Sequence, residues 1–465
     1  MGVFRYTSTL SIMKGSLYKY LFLIGLHIAL AFLVFYVRVF SLIYALLILL
    51  VGVLYIVKNK DRNNEALYFA AYFMGIEVFL RMTKGLPLYE IGKYGVIVFM
   101  TMGLFYRGIQ KQAGYFFVYL LLLLPAILLT VKDLGADINM RKAIAFNLSG
   151  PVCLGISAMY CTQREISIKR LVNVLFVMGL PIVTTGVYLQ LYTPSLQETI
   201  TSTGSNFAAS GGFGPNQVST ILGLGMFVFF VQILFNSKNK ILLGVNTALL
   251  ALLAYRGLIT FSRGGIITAL VIMGLLVIVI YLNTNIKAKS KLLFMMLLGV
   301  FLSFGVWSYT ALQTDGLIEN RYRNEDASGR EKETLLTGRE TLISTELQMF
   351  YENPILGVGV GRNKEIREDE TGIVAASHNE ISRILAEHGT LGLIGLLILI
   401  FVPLSNFSSN RENIFLLSFF VFWALTINHA AMRTSIPAFV YALSLLRVSF
   451  DEPSAIAEEV DVSET

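Results

Sequence analysis

At 465 residues the chain is 55% hydrophobic and only 14% charged, with a mean hydropathy of +0.67. Soluble domains carry about 25% charged residues, so an ordinary soluble enzyme is set aside. The net charge of +7 reads as basic cytoplasmic loops rather than nucleic-acid binding. Cys153 and Cys161 share one apolar segment and can build neither a disulfide framework nor a metal set, so they read as helix-packing residues.

Repeated apolar stretches of about 17 residues or more mark an all-α, polytopic membrane protein. Taken in order, the spans fall near 20–37, 39–57, 66–80, 91–106, 114–131, 144–161, 171–191, 217–235, 241–259, 265–283, 292–311, 390–405, 413–429 and 435–448. The expected count is 12–14 transmembrane helices, with the boundary at Arg38 the weakest. The first span has no small-residue cleavage site after it and reads as an anchor rather than a removed signal peptide. His27, inside it, reads as a satisfied intramembrane histidine.

Placing the N-terminus in the cytoplasm gathers Lys14/Lys19, Lys58/Lys60/Arg62, Arg107/Lys111, Arg164/Lys169/Arg170, Lys238/Lys240 and Lys287/Lys289/Lys291 inside, the positive-inside pattern. The acidic tail also falls inside and reads as disordered. Four regions result: N-terminal transmembrane helices over 1–311, a large outer-face loop over 312–377, a short helix with the C-terminal transmembrane helices over 378–448, and an acidic cytoplasmic tail over 449–465. A loop this long is functional or disordered. Thr337-Gly338-Arg339-Glu340 reads as a capping box opening an amphipathic helix with Ile343, Leu347 and Phe350 on one face, ended by Asn353-Pro354. The run Ile355-Leu356-Gly357-Val358-Gly359-Val360-Gly361 reads as a flexible connector. It is no dinucleotide fingerprint, because no βαβ unit surrounds it.

The connector leads to Ser377-His378-Asn379-Glu380. Ser377 with Glu380 three residues on spells a second capping box, placing His378 at the first helical position. The positive end of the helix dipole would keep that imidazole neutral and able to act as a base. The alternative is a capping-region histidine without chemistry. Gly389 reads as the helix stop. His388 then sits at the helix end, where a cation suits the dipole. Glu380 is spent on capping, and Glu387 follows about two turns later.

The outer face also collects Arg141, Asn147, Gly211-Gly212-Phe213-Gly214-Pro215-Asn216-Gln217, Arg256, Ser262-Arg263-Gly264-Gly265, Arg339, His429 and Arg433. Basic residues there run against the positive-inside bias and need a function or a partner. Arg263 is held at the interface by a tight turn, and its planar fork suits phosphate oxygens. Snorkelling to head groups or pairing with a carboxylate is its alternative. Arg339, near a helix start, adds a second donor. Arg256 and Arg433 are further candidates, whereas Arg141 could equally be an interfacial anchor. No two carboxylates stand out as a glycosidase pair, and His378, His388 and His429 lack partners at metal-ligand spacing. A base with phosphate-suited arginines, on a face without nucleotides, points to group transfer from a lipid-linked pyrophosphate.

The segments SHNEISRILAEHGTLGLIGLL, FSRGG, TGRETLISTELQMFYENPILGVGVG and GGFGPNQVS resemble the bacterial O-antigen ligase and O-antigen polymerase superfamily over about residues 140–445. The resemblance implies a glycosyltransferase of the multi-spanning C type in the bacterial inner membrane. Its active site would face the periplasm, with anomeric inversion and neither metal, nucleotide nor other cofactor. The donor would be an undecaprenyl-pyrophosphate-linked glycan, and the acceptor lipid A–core or another glycan. By motif, His378 matches the family's essential histidine, and Arg263 and Arg339 its phosphate-binding arginines. Asn216, Asn379, Arg256, Arg433 and Arg141 are pocket candidates. A ligase is expected first; a polymerase using a second lipid-linked repeat, and a protein-glycosylating ligase, share the same donor motif. A transporter of lipid-linked glycans would show polar span interiors and repeated halves, which are not found.

Overall fold

The fourteen apolar segments each fold as helix, and their order along the chain is the order of the fold. The computed structural model describes residues 10–85, 88–133, 139–193, 195–332, 339–372 and 375–450. The first half comprises α1 (Leu10–Tyr36), α2 (Val39–Asn59), α3 (Glu65–Met82), α4 (Ile91–Arg107), α5 (Gly114–Leu122), α6 (Leu124–Asp133), α7 (Met140–Cys161) and α8 (Ile168–Tyr192), then a single turn α9 (Leu196–Thr199). Next come α10 (Pro215–Phe235), α11 (Lys240–Ile259), α12 (Arg263–Leu282) and α13 (Ile286–Gln313). The long loop holds α14 (Leu317–Tyr322), α15 (Arg339–Glu352) and α16 (Arg362–Thr371). The chain then re-enters through α17 (Glu380–Phe407), α18 (Leu416–Thr426) and α19 (Ile436–Leu443).

Ten of these helical segments are long and apolar enough to cross a membrane. The remaining four expected spans fall short for visible reasons. α3 carries Glu65, Glu77 and Arg81, α4 is 17 residues long, and α18 and α19 flank a broken stretch at 427–435. The turn at Arg38 does separate α1 from α2. Over their most apolar 18 residues, α8 and α10 are the most enclosed of these ten spans, 83% and 78% buried, against 6% for α13. Lipid is as apolar as leucine, so close backbone approach at small residues binds such helices together. Where α10 crosses α12, a Cβ on Gly265 would collide with the Ser219 carbonyl, and one on Gly223 with the Gly265 carbonyl. That crossing fixes the start of α12, where Arg263 sits.

At the end of the bundle opposite the long loop, β1 (Glu165–Ser167) and β2 (Arg447–Ser449) form one parallel pair. Buried Asp61 accepts from the Ala66 amide and from Tyr160, with Arg164 beside it. His27 is satisfied, with Nδ1 donating to the Leu23 carbonyl and Nε2 at 2.7 Å from the Tyr72 hydroxyl. Cys153 and Cys161 are buried free thiols among packed helices. The expected disordered tail lies outside the described residues from 451 onward, as does the capping box at Thr337-Gly338, before Arg339.

Two local expectations need correction. α15 buries Leu342, Thr345, Glu346 and Met349, a face rotated by one residue from Ile343, Leu347 and Phe350. The cause is Glu346, a carboxylate that tertiary partners draw inward. The Gly-rich connector is no loose linker. Val358 N donates to the Ala386 carbonyl (2.8 Å), Gly359 N to the Glu387 carbonyl (3.1 Å) and Gly361 N to Glu387 Oε1 (2.9 Å). These bonds strap the connector across the end of the first section of α17, where carbonyls lack intrahelical partners. Gly389, at φ 59° and ψ −140°, breaks the helix there, after which the helical path resumes into the apolar span.

Candidate functional site

The Ser377–Glu380 corner is built by Asn379, not by Ser377. Asn379 is the N-cap of α17, and its Oδ1 accepts from the amides of Ile381 (2.8 Å) and Ser382 (3.3 Å). An asparagine side chain is as good a cap as serine, so the sequence offered two competing starts. His378 therefore precedes the cap instead of occupying the first helical position. Glu380 does not close a box either: it pairs with Arg383 and accepts from the Met432 amide.

What holds Ser377 is Glu346, a residue the sequence did not single out. Its buried carboxylate accepts from Ser377 Oγ (3.1 Å), Ser382 Oγ (2.6 Å), Asn363 Nδ2 (3.0 Å) and Arg367 Nη1 (3.2 Å). Four donors from α16, α17 and the corner thus converge on one carboxylate of α15. One glutamate among the several polar residues of α15 gives no sign of such a hub, because its partners are distant in the chain. On α17 itself Arg383 lies between Glu380 and Glu387 in a buried three-charge ladder. His388 is buried at the end of that section, not an exposed dipole partner.

His378 is half-buried and lines a small cleft with Leu342, Ile343, Ser377, Asn379 and Asn428. On the other side of Ser377 a second cleft is lined by Phe146, Asn147, Glu380, Arg383 and Arg433, among others. Arg433 Nη2 donates to the Ser377 carbonyl, and its guanidinium carbon stands 5.8 Å from the Phe146 ring centre. Arg81, paired with Glu77, donates to the Arg433 carbonyl at 3.2 Å.

The loop after α18 joins this corner to the start of α12. Asn379 Nδ2 donates to Asn428 Oδ1 at 3.2 Å, and the Glu380 amide to the Ile427 carbonyl at 2.9 Å. Its neighbour His429 lies against Gly264, where a Cβ would stand 2.5 Å from the imidazole. Asn216 Nδ2 donates to the His429 carbonyl (3.2 Å), and Ser262 Oγ donates to Asn216 Oδ1 (2.8 Å). A continuous path thus runs His378, Asn379, Asn428, His429, Gly264, Arg263, with Asn216 bracing its far end.

Two candidate residues stand apart from this path. Arg256 is fully buried, its Nη2 donating to Thr193 Oγ1 at 2.6 Å and to the Ala209 carbonyl at 3.3 Å. It is a brace between α11, α8 and the loop before α10, and it presents no open face to a ligand. Arg141 is exposed on the first turn of α7, away from the contacts just described. Arg339 begins α15, but its side chain lies outside the described residues. Among the described residues no group of three or more histidines, cysteines or carboxylates could hold a metal ion.

Residues 248–397 match the O-antigen ligase family, a stretch running from α11 through the Arg263 turn and the long loop into α17. No curated protein matches the chain. Asn216, Asn428, His429 and Arg433 lie outside the matched stretch, yet pack around its histidine and arginine. The chain thus carries an O-antigen ligase domain at 248–397, set in a bundle of membrane-length apolar helices.

Proposed function

We propose that the protein is a polysaccharide ligase that moves a glycan from undecaprenyl pyrophosphate to a hydroxyl of lipid A–core on the periplasmic face of the inner membrane. One observation carries this reading: a single short loop, 427–429, joins the cleft that holds His378 to the helix start that holds Arg263. A base and a phosphate-suited cation thus belong to one built corner.

His378 takes the proton of the acceptor hydroxyl. The oxygen lone pair forms the new bond to the anomeric carbon while the bond from that carbon to the pyrophosphate oxygen breaks. The electron pair leaves with the lipid pyrophosphate, whose growing charge Arg263 and Arg339 offset. Attack opposite the leaving group inverts the anomeric centre. His378 then releases its proton to water. Asn379 and Arg433 fix the backbone on both sides of the base, and Asn216 fixes the loop that carries Asn428 and His429.

The test is His378→Ala in purified protein, assayed for transfer from a lipid-pyrophosphate donor. A general base contributes about 10²–10⁴-fold, so that loss is expected with an unchanged melting temperature. Wild-type transfer by the folded variant overturns the assignment.

A further inference from the structure

The loop between α13 and α15 carries two cations that return to Arg263. Arg321, on α14, donates from Nε to the Phe261 carbonyl at 2.9 Å, and Arg263 donates from Nη1 to the Arg321 carbonyl at 3.3 Å. This mutual clasp ties Arg321 to the opening of α12. Lys332 joins them from the far end of the 325–331 bridge. Its Nζ donates to Thr203 Oγ1 at 2.7 Å, and Thr203 spends its own proton on the Glu325 carbonyl at 2.9 Å. The threonine therefore aims the ammonium without neutralising it. Partial burial, then Arg321, then Arg263 hold the Lys332 ammonium below the usual lysine value.

Such a gathering of cations invites an anion. Asp326 is the carboxylate that opposes this effect on Lys332, but its oxygens already accept from the amides of Ser328 and Arg330 and from Arg330 Nε. Among the described residues neither Arg263 nor Lys332 forms an ion pair with a carboxylate; their partners are a carbonyl and a hydroxyl. The start of α12 adds to the positive field, since the Ser262 hydroxyl serves Asn216 and makes no cap bond. A guanidinium fork holds two phosphate oxygens, and an ammonium acts as a point charge.

We propose that Lys332, aimed by Thr203, completes with Arg263 a subsite for a diphosphate and makes it selective for a diphosphate over a monophosphate, while the Arg321 carbonyl holds Arg263 in place. The inference rests on the lipid-pyrophosphate reading above and extends it to residues beyond the histidine and arginine motifs. The same anion chemistry could come from an acidic group of the glycan, and the experiment separates the two.

Full-length protein in detergent is titrated with farnesyl diphosphate, farnesyl monophosphate and glucuronic acid, alongside Lys332→Gln, Lys332→Arg, Thr203→Val and Arg263→Gln. Loss of a charged hydrogen-bond partner weakens binding by about tenfold or more. Lys332→Gln is expected to lose that much for the diphosphate and little for the monophosphate. Lys332→Arg should restore most of it, and Thr203→Val should weaken it several-fold. Melting curves confirm folding, and Thr203→Val carries the test should Lys332→Gln be unstable. If Lys332→Gln and Thr203→Val bind farnesyl diphosphate like wild type while Arg263→Gln does not, this inference falls and the donor reading stands. If Arg263→Gln also binds normally, the diphosphate reading fails with it. A loss confined to glucuronic acid overturns the proposal in favour of a glycan contact.

Discussion

The Glu346 carboxylate accepts a hydrogen bond from Ser377 Oγ at 3.1 Å, so a loop helix holds the residue that precedes the candidate base. The same carboxylate neutralises buried Arg367. Glu346→Gln keeps the shape but leaves Arg367 without its counter-charge. Breaking a buried pair costs about 3–5 kcal/mol. A fall in melting temperature and near-complete loss of transfer are expected, with farnesyl diphosphate affinity retained. Calorimetry and titration check this, and normal transfer would show that the corner is held otherwise.

Arg383 is predicted to be structural. It sits between Glu380 and Glu387 with almost no exposure. Arg383→Met strands two buried carboxylates, again a loss of about 3–5 kcal/mol. Reduced yield and aggregation on size-exclusion chromatography should follow. A stable, active variant would contradict the ladder.

Gly389→Ala tests the strap. The glycine has φ 59° and ψ −140°, and a Cβ there would stand 2.7 Å from the Gly357 nitrogen and the Ile355 carbonyl. Backbone strain of this kind costs about 1–3 kcal/mol, before the collision is counted. Faster proteolysis within residues 355–361 and lower transfer are expected. Unchanged digestion would mean that the connector is held without this turn.

Arg256→Met separates a brace from a ligand contact. Losing hydrogen bonds from a charged group costs about 1.5–3 kcal/mol, so the melting temperature should fall. Farnesyl diphosphate affinity should not. A selective loss of affinity at constant stability would return Arg256 to the binding site.

Lys332 gives a pH dependence with a definite sign. Its folded value lies below the ordinary lysine value of 10.5, so between the two the unfolded chain binds more protons. Ligand-free stability therefore rises slightly with pH across that window. A bound diphosphate favours the ammonium, so affinity should fall as pH rises through the same range. Lys332→Arg should flatten the curve, because guanidinium stays charged there. An identical curve in both proteins would exclude Lys332 as the titrating group.

The sequence by itself determined the membrane class, the helices and the candidate base and arginine. Apolar length and loop charge are local properties, and bilayer thickness reads them directly. It also marked Gly389 as a break and His27 as satisfied. Only the tertiary structure decided which polar residues meet. The competition between Ser377 and Asn379 as cap was settled by Glu346, 31 residues before Ser377. Arg256 looked like Arg263 in sequence, but Thr193 and the Ala209 carbonyl enclose it. Lys332 and Arg321 looked like ordinary loop charges until folding returned them to the start of α12. Side-chain charge is written in the chain, but its partners depend on distances across the fold, and those distances decide whether a cation braces the protein or faces a ligand.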